Sequence, residues 1–433
     1  MQTQTNEIWY YNFDRHIEEI GLVYETLYDP RLKQWFQYTD GYYHETQLQQ
    51  IRAVIYDWGM LVNENLNNNK VSFLIKRLEA QCLFTGVWDP DPNIDNCLDG
   101  LIDKTTRKIH KHSAEYKSRQ QIPRHYIESE GIIPPLFEKL LSIIPDDDER
   151  MWFIQYMINI VHNYHDDELF CILYGPKGGG KSTILKIPEL LFGQLAVSKT
   201  PLQRIGKRFG LKEIHDKRLN INPDLPIVPM SDYTISLLKQ LTGNDGLIEV
   251  ELKGRDSFMY PIKCFLLFGI NQLMEFSSKS EKEIESIFRR SLLVNLPNTL
   301  KRNPQFKRDL EDPKFLDELY SWLIWMRPRA IIGDGEDELD NWIEIQKTKW
   351  LNNANPILAI CRELFCYNES MTLPVRHVQE TIMEELQGAG IMKSQQVQTN
   401  ITQALQTMKI YRDNKRGLNA HYVNIEEVME EYK

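Results

Sequence analysis

The spacing of apolar positions changes character along the chain. In the first 125 residues they recur at helical intervals over Ile51–Leu61 (IRAVIYDWGML) and Val71–Leu83 (VSFLIKRLEAQCL), which predicts two helices. Asp89-Pro90-Asp91-Pro92 is a turn cluster, and Asp99-Gly100 within Leu98–Asp103 signals a tight hairpin. The polar, basic stretch Lys111–Pro123 reads as a connector. Two more helices should follow. The second has Asp146 as N-cap with Glu149 three residues on. Its stripe of Trp152, Phe153, Tyr156, Met157, Ile160, Val161 and Tyr164 has the spacing of a core-facing surface.

Between residues 168 and 300 the pattern switches to short, nearly continuous apolar runs: Phe170–Tyr174, Cys264–Ile270 and Leu292–Leu296. Runs of this kind form parallel strands buried on both faces. Helical segments separate them, so the fold class is α/β with a parallel sheet between helices. Residues 301–350 are charged and hold a Trp-containing helix at Phe315–Met326. Roughly the last 80 residues read as three helices and then a β-hairpin.

The net charge of −10 changes the picture in one respect. A surface that repels nucleic acid overall can bind it only through local basic elements. The six cysteines form no two Cys-x-x-Cys pairs, which argues against a zinc ribbon. Cys171 and Cys264 fall inside apolar runs and should be buried thiols of a reducing compartment. There is no basic-then-apolar leader and no apolar run near the roughly 20 residues of a membrane span. A cytoplasmic protein with no membrane partner is expected.

One motif carries chemistry at once. Gly175-Pro176-Lys177-Gly178-Gly179-Gly180-Lys181-Ser182, followed by Thr183, satisfies G-x-x-x-x-G-K-[ST] after an apolar strand and before a helix. Glycines let backbone N–H groups turn inward around phosphate oxygens. Lys181 should reach the β- and γ-phosphates, and Ser182 should ligate Mg²⁺. Pro188 should end or kink the helix after about two turns. An acid to hold Mg²⁺ and orient water is expected at the end of a neighbouring strand. Asp224, in Arg218–Leu225 (RLNINPDL), is the best candidate, although a lone Asp after a strand is more often a turn residue. Asn271 ends the Cys264–Ile270 run, where it can meet the γ-phosphate or cap a helix. Arg289 and Arg290 precede the next strand and could reach a neighbouring subunit's site or simply be solvated. Ile248, Val250 and Leu252 alternate, Phe258 and Tyr260 resume the alternation, and Lys253-Gly254-Arg255-Asp256 lies between. That is a hairpin with a basic tip, fit to track phosphates without reading bases.

In order and spacing these residues resemble the superfamily 3 helicases, AAA+ motors of small DNA viruses, phages and plasmids. The likeness is closest to the helicase part of the phage/plasmid primase family, which includes the poxvirus-type helicase-primase. The matching segments are GPKGGGKST (175–183), KRLNINPDL (217–225), LKQLTGND (238–245) with its hairpin, KCFLLFGIN (263–271) and IFRRSLLVNLP (287–297). The resemblance implies ATP and Mg²⁺ on Lys181 and Ser182, Asp224 as the motif B acid and Asn271 as sensor 1. It implies Arg289 or Arg290 as the finger acting in trans, and Lys253 and Gly254 on a channel hairpin contacting single-stranded or forked DNA. It further implies a hexameric ring moving 3′→5′ in a microbial or virus-infected cell, with a primase or polymerase supplied separately.

The implied organisation is a mixed α+β N-terminal domain (1–125), a helical collar (126–165), the AAA+ P-loop core (166–330) and a winged-helix-like domain (345–433). In that last domain Ser394–Met408 would be the recognition helix and Lys415 and Arg416 the wing. Two departures stand out. Motif B has one acid where many relatives carry an adjacent pair. No acidic-x-acidic primase signature is present, since Asp89–Asp95 is proline-broken and reads as a loop, so a helicase without primase activity is expected. The alternatives are an ATP-binding replication-initiation protein with little unwinding activity, and a P-loop kinase, against which the basic hairpin argues.

Overall fold

Aromatic strands open the described part of the chain. β1 (Thr26–Asp29), β2 (Gln34–Thr39) and β3 (Tyr42–Thr46) form an antiparallel sheet. Helices α1 (Leu48–Leu61) and α2 (Asn68–Gln81) follow where helical spacing predicts them. Ile51, Ile55 and Trp58 on one, and Val71, Leu74, Ile75 and Leu78 on the other, close into one cluster with Trp35 and Cys82. Each large apolar side chain so buried contributes about 1.5–3 kcal/mol.

The computed structural model describes residues 26–243, 246–251, 257–278, 280–333, 335–388, 394–413 and 420–428. Two units are evident. The first takes in residues up to Leu225, Ser236–Gly269 and Val294–Ile331; the second takes in Pro226–Ile235, Ile270–Leu293 and residues from Ile332 on.

In the first unit β4 (Ile94–Cys97), β5 (Gly100–Asp103) and β6 (Lys108–His110) make an antiparallel meander. Cys97 pairs with Gly100, so the tight turn is Leu98-Asp99 and Gly100 already belongs to the next strand. The segment Asp89–Asp95, expected to be a loop, ends inside β4, and Asp95 is buried. Its carboxylate accepts from Lys104 Nζ at 3.1 Å, from Arg218 Nη2 and Nη1 at 2.5 and 3.0 Å, and from the Tyr320 hydroxyl at 2.6 Å. Lys104 and Arg218 also donate to the Val161 carbonyl, at 2.7 and 3.3 Å. Burial opposes ionisation of Asp95, but the Arg218 and Lys104 charges outweigh it and hold the carboxyl well below the usual range. Burial pushes Lys104 down to about 8 against the opposing pull of Asp95. The supposed connector Lys111–Pro123 is tied down. Ser118 Oγ donates to Asp89 at 2.6 Å, and the Arg119 guanidinium lies 4.5 Å over the Phe36 ring.

Helices α3 (Pro135–Leu141) and α4 (Asp147–His162) follow. Asp146 caps α4 by accepting the Glu149 N–H at 2.9 Å, and Phe153, Tyr156, Met157, Ile160 and Val161 are buried as the stripe predicts. The buried Glu149 carboxylate accepts the Asn295 N–H at 2.6 Å.

The central sheet contains β7 (Phe170–Tyr174), β8 (Val197–Ser198), β9 (Leu219–Asn222), β12 (Phe265–Ile270) and β13 (Ser291–Asn295), in the order β13-β7-β12-β9-β8. β9 runs parallel to both β8 and β12. Every residue of β7, β9 and β12 is buried, which is why these strands appear as unbroken apolar runs. Asn220 is tolerated inside because its side chain bonds both the N–H and the carbonyl of Thr200, at 2.8 and 3.0 Å. The intervening elements are α5 (Lys181–Ala196), α6 (Leu202–Ile205), α7 (Asp232–Thr242), the hairpin β10 (Ile248–Val250) and β11 (Phe258–Tyr260), and α8 (Glu281–Arg290).

Pro188 does not break α5. The backbone leaves helical geometry only at Gly193, with φ 71° and ψ 177°. Proline removes one N–H there, and burial of Ile184, Ile187 and Leu191 holds the helix through it. Helices α9 (Pro304–Leu310) and α10 (Pro313–Trp325) complete the unit.

The second unit adds α11 (Glu336–Ala354), whose Trp350 donates to the Met274 carbonyl at 2.8 Å. Then come α12 (Pro356–Leu364), β14 (Phe365–Pro374), α13 (Val375–Gly388), α14 (Gln395–Thr407), β15 (Tyr411–Arg412) and β16 (His421–Glu427). The strands pair in the order β14-β16-β15. β14 interrupts the expected run of helices. It escaped the sequence pattern because it is largely exposed and its pairing shifts between Tyr367 and Thr372, so no alternation marks it. Phe365, Val378, Ile382, Leu386, Leu405, Tyr422 and Ile425 form the core here. Among the described residues no helix is long and apolar enough to cross a membrane. Cys171 and Cys264 are buried free thiols, as expected.

Replacing Asp95 by Ala strands the buried Lys104 and the half-buried Arg218. The first unit should lose about 3–5 kcal/mol in chemical denaturation followed by tryptophan fluorescence. The folded Asp95 carboxyl titrates below its unfolded value. Its stabilisation is therefore complete above about pH 4 and fades as pH falls towards the folded value, an acid dependence that Asp95→Ala should remove.

Candidate nucleotide-phosphate site

β7 ends at Tyr174 and α5 begins at Lys181, so the glycine motif forms the loop between a buried strand and a helix N-terminus. The positive end of the helix dipole lies there, an arrangement suited to an anion. Two glycines are required, Gly175 by close backbone approach and Gly180 by its positive φ. A Cβ on Gly175, whose φ is 139°, would sit 2.2 Å from the Leu296 carbonyl oxygen. One on Gly180, at φ 91°, would meet Ile143 and Leu300 side chains at 2.7 and 2.9 Å. The chain after β13 backs the loop: Leu296 N–H donates to Tyr174 O at 2.8 Å and Leu300 N–H to Gly178 O at 3.0 Å. Pro176, Lys177 and Gly178 form the exposed lip, while Gly179 is buried.

Lys181 Nζ lies within the loop and donates to the carbonyls of Gly175 and Pro176 at 2.6 and 2.8 Å. Burial lowers its pKa, and the Asp224 carboxylate pulls it partly back up. The acid was expected on a strand neighbouring β7, but β9 is not β7's immediate neighbour, because β12 lies between them. At about 4.8 Å per strand spacing, β7 and β9 stand roughly 10 Å apart. Asp224 spans part of that on an exposed loop, tied to β12 by the Leu225 N–H donating to the Gly269 carbonyl at 2.9 Å. Asn222 Oδ1 accepts the Asp224 N–H at 3.4 Å. Ser182 is exposed on the first turn of α5 and Thr183 half-buried beside it.

The other predicted residues are distributed differently. Asn271 directly follows β12 in the chain and is counted with the second unit. Arg289 and Arg290 end α8 in that unit, the first exposed and the second half-buried with Nη1 donating to Ser286 O at 3.4 Å. Lys253, Gly254 and Arg255 lie outside the described residues. The strands leading to them pair as a hairpin, with Ile248 opposite Tyr260. Lys415 and Arg416 also lie outside the described residues, between β15 and β16.

Sequence reasoning missed the backing segment Leu296–Leu300 and the role of Gly269. The Pro223 carbonyl oxygen lies only 2.7 Å from where a Gly269 Cβ would sit. A glycine inside an otherwise solid apolar strand was the available signal, since it marks close backbone approach.

Residues 173–290, from the end of β7 to the end of α8, match the profile of DUF5906, a family of unknown function. No curated protein matches the chain. Among solved structures, the apo structure of the NrS-1 C-terminal region (305–718) is similar at 12% identity and a TM-score of 0.50, covering 93% of this chain and 96% of that one. The A form apo structure of the same region gives 11% identity and a TM-score of 0.49 over the same shares. The first likeness is one of fold.

Gly175→Ala should push the Leu296 carbonyl aside and open the loop. Affinity for a fluorescent ATP analogue should fall at least about tenfold by anisotropy, a loss of about 1.4 kcal/mol.

Proposed function

We propose that the protein is an ATP-hydrolysing motor on single-stranded DNA, a helicase built on an AAA+ type P-loop core. The observation that carries this reading is the pre-formed loop at the head of α5, with Lys181 inside it and under the field of Asp224. Ser182 Oγ and the Asp224 carboxylate are hard oxygen donors, and both are exposed. Mg²⁺ commonly takes only one or two protein oxygens and completes its shell with phosphate oxygens and water, so this pair suits it. When bound, the ion neutralises charge between the phosphates. Lys181 would exchange its carbonyl partners for phosphate oxygens. Asp224, the only acid of its motif, would orient the attacking water.

Asn271, following the strand between β7 and β9, would act as sensor. Arg289 or Arg290 from an adjacent subunit of a ring would stabilise transition-state charge. The hairpin β10–β11 would carry its basic tip along the strand of DNA.

A second reading, an ATP-dependent replication-initiation protein, is favoured by the order helix-strand-helix-helix-strand-strand in the second unit, which fits a winged helix with α14 as recognition helix. The two readings separate in one assay. For the motor, ATP turnover should rise several-fold with single-stranded DNA and fall by about 10³ or more in Lys181→Ala. In the double variant Arg289→Ala/Arg290→Ala, ATP binding should persist while hydrolysis collapses by about 10³. Slow hydrolysis indifferent to single-stranded DNA would favour the initiation protein, and near-normal turnover in the double variant would remove the finger assignment.

A further inference from the structure

A cleft of about 330 Å³ lies in the first unit, at the end of β9 and β12 remote from the phosphate loop. Arg218 immediately precedes β9, and Lys263 stands two residues before β12. At about 3.3 Å per residue, those strands put it more than about 13 Å from the loop. Trp88, Asn96, His215, Lys217, Tyr260 and Lys263 line it, and the carboxylates of Asp89, Asp91, Asp95 and Asp216 share the wall. A volume of this size is in the range of small-ligand sites.

Two buried acceptors on this wall have no hydrogen-bond partner. His215 is only 8% exposed, and its Nδ1 faces the Lys212 carbonyl at 2.8 Å. A carbonyl can only accept, so Nδ1 carries the proton and Nε2 is left as an acceptor with nothing to bind. Asn96 is only 3% exposed; its Nδ2 donates to the Gly41 carbonyl at 2.9 Å, while Oδ1 is unpartnered. Buried polar atoms left this way are rare and call for a donor. His215 meets the Tyr260 ring edge-on at 5.2 Å, so the acceptors stand beside an aromatic surface. Arg119 and Arg218 are engaged by Asp216 and Asp95, at 3.2 and 2.5 Å. Lys263 is exposed. Lys217 is half-buried, gives one N–H to the Leu195 carbonyl at 2.7 Å and lies 3.9 Å from Asp216, which leaves its other N–H groups and the Lys263 ammonium at the rim for an anion.

We propose that this cleft takes one nucleotide unit, an amino-bearing base against Asn96 and His215 with its phosphate between Lys217 and Lys263. The recognition chemistry is independent of the motor reading, and only the source of the nucleotide, a DNA strand, rests on it. The chain favours that source: β11 ends at Tyr260 and passes through Pro261 and Lys263 straight into β12. A strand handed on from the hairpin would reach this wall, and β12 would join it rigidly to the sheet edge next to Asp224. A free mononucleotide shares the same chemistry.

The test uses the full chain carrying Lys181→Ala, in buffer without ATP, so that the phosphate loop takes no part. Labelled dA12, dC12 and dT12 are titrated by anisotropy. dA12 and dC12 should bind more tightly than dT12, and Asn96→Leu should erase that preference. Lys217→Ala/Lys263→Ala should weaken all three about tenfold and flatten the log–log salt slope by about 0.7, for the one phosphate the two lysines share. Oligonucleotides with a photoreactive base should cross-link to Trp88 or Tyr260 peptides. Competition by dAMP would assign the site to free nucleotides, and its absence to a strand; both keep the proposal. Unchanged affinity and slope in the double variant, with a circular dichroism melt matching the parent and cross-links confined to other peptides, would overturn it. That outcome would leave DNA-stimulated hydrolysis untouched. Intact oligonucleotide binding without such stimulation would instead fault the motor.

Discussion

The position of the acidic strand depends on one buried carboxylate. Asp95, on β4, is gripped by Arg218 at the entrance to β9, by Lys104 beyond β5, and by Tyr320 on α10. Arg218 and Lys104 also hold the Val161 carbonyl near the end of α4. Four separate stretches of chain thus meet at one group, and β9 leaves it aimed at Asp224. A well-packed apolar substitute would give comparable stability. What the ionic cluster adds is position, because bidentate Arg–carboxylate bonds fix the strand's entry and direction as grease does not.

At the other end of the sheet, backbone contact plays the corresponding part. The loop from Gly175 to Gly180 is shaped by what lies behind it: the Leu296 carbonyl against Gly175, and Leu300 against Gly180 and bonded to Gly178. β13 and the chain after it shape this loop as much as the glycines do. Helix α8, which carries the paired arginines, runs directly into β13.

Much of this was legible in the sequence because it rests on local rules. β7, β12 and β13 announced themselves as solid apolar runs, α4 by its stripe and Asp146 cap, and the phosphate loop by its glycines. What was not legible depends on distant partners. Arg218 reads as an ordinary basic residue before a strand until Asp95 is brought beside it from 123 residues away. β14 has almost no apolar face of its own, and its identity comes from pairing with β16. Pro188 was over-read because the local rule counts the lost N–H and leaves out the burial that offsets it. The insertion of β12 between β7 and β9 is a matter of sheet order, on which local patterning is silent.

The loop at the head of α5 is proposed to hold nucleotide phosphates with Lys181 and Asp224 on either side of them. An experimental structure with Mg²⁺ and a slowly hydrolysed ATP analogue tests it most directly. Lys181 Nζ should leave the Gly175 and Pro176 carbonyls for the β- and γ-phosphate oxygens, with the metal between Ser182 Oγ and Asp224. Lys181 still bonded to those two carbonyls while the phosphates lie elsewhere would contradict it.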